Sequence, residues 1–288
     1  MPALKDIRRR IGSVKSTQKI TRAMKLVSAA KLRRAQDAII NARPYTRKVR
    51  EIVSELAQRS DRALHPLLAE REPRRVLLLV LTADRGLCGA FNTNILRATD
   101  QYRRQLQAAG QVAELVVVGR KGRDFYRYRQ IALEEWLPGV DASNAAARAE
   151  TLALLVSERF GSGRVDRVCV VYNEFRSAMS QAVTVEQLLP IPPPASAPDA
   201  ATAVDFIYEP GPHELLATML PIYLRVELQR AALEAIASEY GARMTAMENA
   251  TNNANEMVAA LTLEYNKARQ ASITKELREI IAGAEALR

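Results

Sequence analysis

Two histidines, two cysteines and one glycine-bearing loop are the places where this 288-residue sequence could do chemistry. His65 and His213 stand apart from any Cys, His or carboxylate set with metal-ligand spacing, so no metal centre is expected. Cys88 and Cys169 form no C-x-x-C pair. Cys169 falls in the run 165–171, apolar apart from Asp166 and Arg167, and reads as a small buried hydrophobe. Cys88 sits in a loop that would leave it accessible, yet no neighbouring base or cation marks it as a nucleophile. That loop, Thr82-Ala-Asp-Arg-Gly-Leu-Cys-Gly-Ala-Phe-Asn92, places Gly86 and Gly89 where a strand hands over to a helix. It has neither G-x-G-x-x-G nor G-K-[ST], so the glycines serve the turn itself and no phosphate site is read from them. No catalytic residue, cofactor or metal is expected.

The chemistry that remains is electrostatic. Residues 1–60 hold 16 Lys/Arg against 4 Asp/Glu, or +12, while the other 228 hold 26 against 28, or −2. The overall +10 therefore belongs to the first fifth of the chain. Lys5, Arg8, Arg9, Arg10, Lys15, Lys19, Arg22, Lys25, Lys31, Arg33 and Arg34 lie there with only Asp6 interleaved, so an anionic partner is expected. Nucleic acid, a membrane surface and an acidic protein all qualify by charge. Scarcity of aromatic residues in this arm argues against single-strand binding, and the absence of a following leucine zipper argues against a bZIP reading.

The elements that position these charges can be read from helix breakers and periodicity. No proline lies between Pro2 and Pro44 and none follows Pro221, whereas 11 of the 15 aromatics lie in residues 74–209. Two long helices, about 3–57 and 213–285, should flank one α/β domain and project from it. In the first, Leu4, Ile7, Ile11, Val14, Thr17, Ile20, Met24 and Val27 step by three or four, with a kink or break expected at Pro44. In the last, Leu233, Ile236, Tyr240, Met244, Met247, Thr251, Ala254, Val258, Leu261, Tyr265 and Ala268 do the same. Two such seams pair most economically as an antiparallel, left-handed coiled coil. Between them, short apolar runs at 76–81, 115–118 and 165–171 alternate with helical stretches near 92–109 and 144–161, a β-α-β pattern that implies a parallel sheet. A proline-rich loop at 190–200 and a final strand at 204–208 complete the domain. The expected layout is an N-terminal basic helix (1–60), a connector (61–73), the α/β domain (74–209) and a C-terminal helix (210–288). Two cysteines exclude a disulfide scaffold, no apolar stretch spans a bilayer, and the first residues resemble neither a secretory signal nor a transit peptide.

Four segments resemble one family. The opening Leu4-Lys-Asp-Ile-Arg-Arg-Arg-Ile-Gly-Ser-Val-Lys-Ser-Thr-Gln-Lys-Ile-Thr-Arg-Ala-Met-Lys-Leu-Val-Ser-Ala-Ala-Lys31 is similar to the start of bacterial-type gamma chains of F-type rotary ATP synthases. Ala242-Arg-Met-Thr-Ala-Met-Glu-Asn-Ala-Thr-Asn-Asn-Ala254 and Tyr265-Asn-Lys-Ala-Arg-Gln-Ala-Ser-Ile-Thr-Lys-Glu-Leu-Arg-Glu-Ile-Ile-Ala-Gly-Ala284 resemble that family's ending, and the 84–92 loop its central turn. The resemblance implies an α/β fold, with a long antiparallel coiled coil of the terminal helices plus a central Rossmann-like α/β domain. It implies a non-catalytic rotor shaft. Such a shaft would take torque from proton flow at the membrane c-ring to ATP sites on beta chains, with alpha, beta, epsilon and c-ring as partners and no nucleic acid.

It further implies a peripheral subunit on the cytoplasmic face of the bacterial plasma membrane. By motif, Met24, Arg243, Arg269, Gln270, Thr274, Glu276 and Glu279 are expected at the alpha/beta ring, and Tyr208 and Glu209 on the c-ring side. Family beta chains carry an acidic loop, to which the basic face around Lys19, Arg22 and Lys25 would be complementary. The family alignment of Met24 with Arg243 implies that the last twenty or so residues run on alone, past the N-terminus. Plant chloroplast relatives carry an inserted redox-active cysteine pair; with only Cys88 and Cys169 here, thiol regulation is not expected. Two other classes compete with this one, a basic coiled-coil organiser of nucleic acid and a Rossmann-like enzyme with helical extensions.

Overall fold

The computed structural model describes residues 4–59, 65–192 and 211–286. The elements run α1 (Leu4–Arg59), β1 (Arg75–Leu81), α2 (Phe91–Ala108), β2 (Val112–Val118), α3 (Arg120–Tyr128), β3 (Glu135–Leu137), α4 (Ala145–Gly161), β4 (Arg167–Phe175), β5 (Gln181–Leu189) and α5 (Pro212–Ala286). The chain forms two compact units, one of Ala29–Arg243 and one of Met1–Ser28 with Met244–Arg288.

The larger unit is built on a five-stranded sheet of order β3-β2-β1-β4-β5. β1 pairs in parallel with β2 and β4, β2 with β3, and β5 closes the edge antiparallel to β4. β1 reads Arg-Val-Leu-Leu-Leu-Val-Leu and is buried from Val76 onward, because both sheet faces are covered. Successive side chains alternate between those faces. Leu77, Leu79, Val116, Val118, Val168 and Val170 share one core with Leu152, Val156 and Phe160 of α4, Val49, Val53 and Leu56 of α1, and Leu216, Leu220, Leu224 and Leu228 of α5. Val76, Leu78, Val80, Leu115, Val117 and Val171 share the other with Phe91, Ile95 and Leu96 of α2 and Tyr126 of α3.

Three elements of this unit go beyond the sequence reading. β3 has only three residues. α3 reads Arg-Lys-Gly-Arg-Asp-Phe-Tyr-Arg-Tyr and buries only Gly122 and Tyr126. β5 mixes polar and apolar residues, is only partly buried until Leu188 and Leu189, and pairs antiparallel with β4 at the edge, so the sheet is mixed where a parallel one was expected. Residues 204–208, where a last strand was expected, lie outside the described residues.

Pro44 does not break α1, which is one helix of 56 residues. Pro44 and Ile40, whose carbonyl loses its usual donor, are both exposed, so water can replace the missing bond. The opposite side is held by buried Thr46, whose hydroxyl donates to the Ala42 carbonyl at 3.0 Å, and by Val49 and Val53.

In the smaller unit, residues 4–28 of α1 pack antiparallel on α5. The Gln18 amide donates to Asn255 Oδ1, the Thr21 and Thr251 hydroxyls are 2.8 Å apart, and Lys25 Nζ lies 2.7 Å from Glu248 Oε1. These contacts keep one register, which brings Leu4 level with residues near Arg269. On α5 the seam is as expected here: Met247 and Ala254 are buried, and Thr251, Val258, Leu261, Tyr265 and Ala268 half-buried. On α1 it is so only in part. Thr17, Ile20 and Val27 are exposed, and the covered stripe passes through Val14, Gln18, Thr21, Met24 and Ser28. Small or hydrogen-bonding residues let the helices approach and bond across the seam, which apolar periodicity alone does not register. From Ile273 through Gly283 every α5 residue is exposed.

Candidate functional site

In open parallel sheets ligands bind beyond the carboxyl ends of the strands, where the strand order reverses. Here that point lies between β1 and β4, and the chain fills it itself. The Ser238 hydroxyl of α5 donates to the Asn173 carbonyl at 2.9 Å, and Asn173 Nδ2 to the Phe91 carbonyl at 3.3 Å. Arg243, 7% exposed, pairs with Glu239 at 2.6 Å and donates to the carbonyls of Arg85 (3.3 Å) and Gly86 (3.2 Å). Leu81, Thr82, Phe91, Val140, Ala232, Ala235, Ile236 and Glu239 enclose a cavity of only about 10 Å³.

The N-terminus of α3, a second natural anion position, is also taken. Asp84 Oδ1 accepts the Arg120 amide at 2.8 Å and the Gly139 amide at 3.1 Å. A side chain at residue 139 would strike this carboxylate, and Gly119, at φ 100°, has no room for a Cβ against Thr82.

Cys88 is buried, not accessible as expected from its loop. Burial pushes its thiol up, and the charge of Arg243 offsets this only in part. Burial raises Cys169 too, so neither sulfur is a ready thiolate. His65 Nδ1 accepts the Leu67 amide at 3.2 Å. Among the described residues no cluster of His, Cys, Asp and Glu could hold a metal.

The residues expected at partners fall into different settings. Lys19 and Arg22 are exposed on α1, Met24 is half-buried in the seam, and Lys25 is turned back onto Glu248 rather than left free. Arg269, Gln270, Thr274, Glu276 and Glu279 are all exposed on α5. Thr274 Oγ1 donates to the Gln270 carbonyl, Ser272 to Glu276, and Lys275 pairs with Glu279 at 3.6 Å. Arg243 belongs to the other unit and faces inward. Tyr208 and Glu209 lie outside the described residues.

Sequence reasoning missed the exposed apolar residues of the helix pair: Ile20, Leu26, Val27, Met257, Leu263, Ile273, Leu277, Ile280 and Ile281. Their signal was present in Leu26, which stood off the expected seam. Together with the basic residues they make a surface suited to holding a protein partner, with no group placed for bond chemistry.

A charge cluster in the larger unit, centred on buried Glu227 and reaching out to half-exposed Arg50, was also invisible in sequence. Arg50 of α1 grips Glu227 of α5 through Nε and Nη2. Arg230 Nε meets the same carboxylate at 2.9 Å, its Nη1 reaches Tyr172 Oη at 2.9 Å and Glu234 at 3.1 Å, and its Nη2 pairs with Glu186 of β5. Tyr172 donates to Glu186 at 2.9 Å. Burial pushes Glu227 up, but the Arg50 hydrogen bond and the Arg230 charge outweigh it and hold the carboxyl below its ordinary value. Glu234 goes the other way, raised by burial that Arg230 only partly offsets. Tyr223, buried beside Glu227, is pushed up to about 12.

A family model described as ATP synthase matches residues 3–287. The chain is 51% identical to an ATP synthase gamma chain of Anaeromyxobacter sp. (strain Fw109-5), covering 100% of both. It is 46% identical to one of Chlorobium phaeobacteroides (strain BS1), over 100% of this chain and 99% of that one. Among solved structures it resembles a chain from the central stalk and c-ring of the Tetrahymena thermophila mitochondrial ATP synthase. That match has a TM-score of 0.61 and 27% identity, over 80% of this chain and 99% of that one. Among the described residues no helix is long and apolar enough to cross a membrane.

Proposed function

Because the chain belongs to the ATP synthase family, as a gamma chain and so a non-catalytic central-stalk rotor subunit of that membrane-associated complex, we propose that it carries torque between the membrane c-ring and catalytic sites on the beta chains. The observation that carries this reading is the helix pair, residues 4–28 against 244–272, held in register by three polar contacts and exposing apolar and basic residues around it. A paired helix resists twist and bending better than a lone one. An asymmetric cross-section turning inside a ring favours a different conformation at each surrounding site, which is coupling through differential affinity.

In this reading residues 1–60 and 210–288 form the shaft, 61–73 the connector and 74–209 the domain that meets the epsilon chain and the c-ring. Lys19, Arg22, Met24, Arg269, Gln270, Thr274, Glu276 and Glu279 serve at the alpha/beta ring, and Tyr208 and Glu209 on the c-ring side. Lys25 and Arg243 act from within, Lys25 by fixing Glu248 and Arg243 by fixing the 84–92 loop. The complex sits on the cytoplasmic face of a bacterial plasma membrane. Charge attraction falls off gradually with distance, so Lys19 and Arg22 guide a turning shaft without locking it.

Co-expression with alpha and beta chains tests the assignment: a stable ATPase complex should be recovered only when this chain is present. In the holoenzyme, Lys19→Gln with Arg22→Gln should lower ATP-driven proton pumping relative to hydrolysis. Unchanged pumping overturns the guiding role of the charges.

A further inference from the structure

We propose that the Arg50–Glu227–Arg230–Glu186 cluster is a registry joint, fixing α1, α5 and the β4–β5 edge at one level so that twist passes between the sheet and the two helices without slip. The proposal rests on the rotor reading and adds the residues at which the sheet is keyed to the helices.

Four separate elements meet here. Glu227 of α5, 2% exposed, is held by Arg50 from α1 and by Arg230 from its own helix. Glu186 of β5 is held by Arg230, by the Tyr172 hydroxyl of β4 and, at 3.8 Å, by Arg50. Arg230 spends its whole guanidinium on this junction: Nε to Glu227, Nη1 to Tyr172 and Glu234, Nη2 to Glu186. Its planar fork fixes direction as well as distance, which a lysine would not do.

The surrounding contacts are of another kind. Val49, Val53 and Leu56 meet Leu216, Leu220, Leu224 and Leu228 in the same core. Aliphatic contact is non-directional, and a helix displaced by one turn replaces one leucine by the next. Such a surface resists separation far better than sliding. A buried ion pair has the opposite character. Compared with apolar residues of equal volume it adds little net stability, while fixing register is its best-attested use. A sheet that must turn with two helices loads its contacts in shear, the direction in which the cluster is strong and the leucines are weak.

The cluster holds one more carboxylate than guanidinium. Three carboxylates, Glu186, Glu227 and Glu234, face Arg50 and Arg230, and Glu234 Oε2 is buried without a hydrogen-bond partner. Conversion of the whole set to apolar or neutral residues is therefore the clean perturbation, because removing one member alone strands the others.

The test replaces the cluster by Arg50→Met, Glu186→Leu, Glu227→Leu, Arg230→Met and Glu234→Gln in the reconstituted holoenzyme. A bead is attached at Gln105→Cys, an exposed position of α2, and the alpha/beta ring is immobilised; Cys88 and Cys169 are buried and do not compete for the label. Expected are retained assembly and ATP hydrolysis, a wider spread of bead angle at each dwell, and loss of proton pumping per ATP. A merely stabilising cluster would lower the unfolding midpoint of the isolated chain and leave bead stiffness alone. An unchanged angular spread together with unchanged pumping overturns the joint while the bead still turns. A bead that never turns in the unsubstituted complex overturns the rotor reading instead. Should the fivefold variant fail to fold, Glu227→Gln, nearly isosteric, carries the same measurement: a wider spread supports the joint and an unchanged one overturns it.

Discussion

Arg243 sits 7% exposed with its charge on Glu239 and its remaining donors on the carbonyls of Arg85 and Gly86. Arg243→Ala strands a buried carboxylate and two carbonyls, so it should cost about 3–5 kcal/mol, read from the denaturant midpoint. Glu227 gives a pH signature. Its folded carboxyl lies below its ordinary value of 4.5, so the unfolded chain binds the proton more readily. The stability it contributes is present above that ordinary value and is lost as pH falls through the depressed folded one. Glu227→Gln should therefore flatten the acid limb of stability against pH below about 4.5, measured by chemical unfolding at each pH. At this scale the sequence was partly legible. Cys169 followed from its apolar run, whereas Cys88 did not, because its burial comes from the packing of a loop under Arg243, 155 residues away in the chain. Lys25 was read among the free cations for the same reason: Glu248 becomes its neighbour only once the helices pair.

Helix periodicity carried the long elements, and its failures have physical causes. The α5 seam was legible because Met247, Ala254, Val258 and Leu261 keep the apolar step. The α1 seam was legible through Leu4, Ile7, Ile11, Val14 and Met24 but not between and beyond them, since Gln18, Thr21 and Ser28 take covered positions while Ile20 and Val27 are left outside. α3 was hidden because five of its nine residues are charged, and β5 because its polar and apolar residues follow no period and only Leu188 and Leu189 are buried. The proline rule also overreached at Pro44, where exposure lets water satisfy the carbonyl that an interior site would strand. The strain remains, however. Pro44→Ala should restore one helix bond and raise stability by up to about 3 kcal/mol, visible as a higher denaturant midpoint. Deleting residues 273–288 should leave the unfolding of the helix pair unchanged, since the described side chains from Ile273 to Gly283 are exposed; thermal denaturation followed by circular dichroism would check this.

Taken over the whole molecule, the charge is the property most distorted by averaging. The net +10 hides +12 in residues 1–60, and within the near-neutral remainder α2 and α3 carry Arg97, Arg103, Arg104, Arg120, Lys121, Arg123 and Arg127 against only Asp100 and Asp124. Association with the alpha and beta chains should weaken with added salt, and Lys19→Gln with Arg22→Gln should reduce that dependence in a titration of complex formation against ionic strength. The absence of a nucleotide motif was legible from the sequence; what occupies the position where such folds hold a ligand was not. That position is filled by the turn of α5 from Ala232 to Arg243. In binding terms α5 is a tethered occupant. Its effective concentration at the crevice is on the order of millimolar or more, and its residence time is that of the folded unit. A free nucleotide would have to compete with a partner that never diffuses away, so the crevice acts as a permanently closed socket.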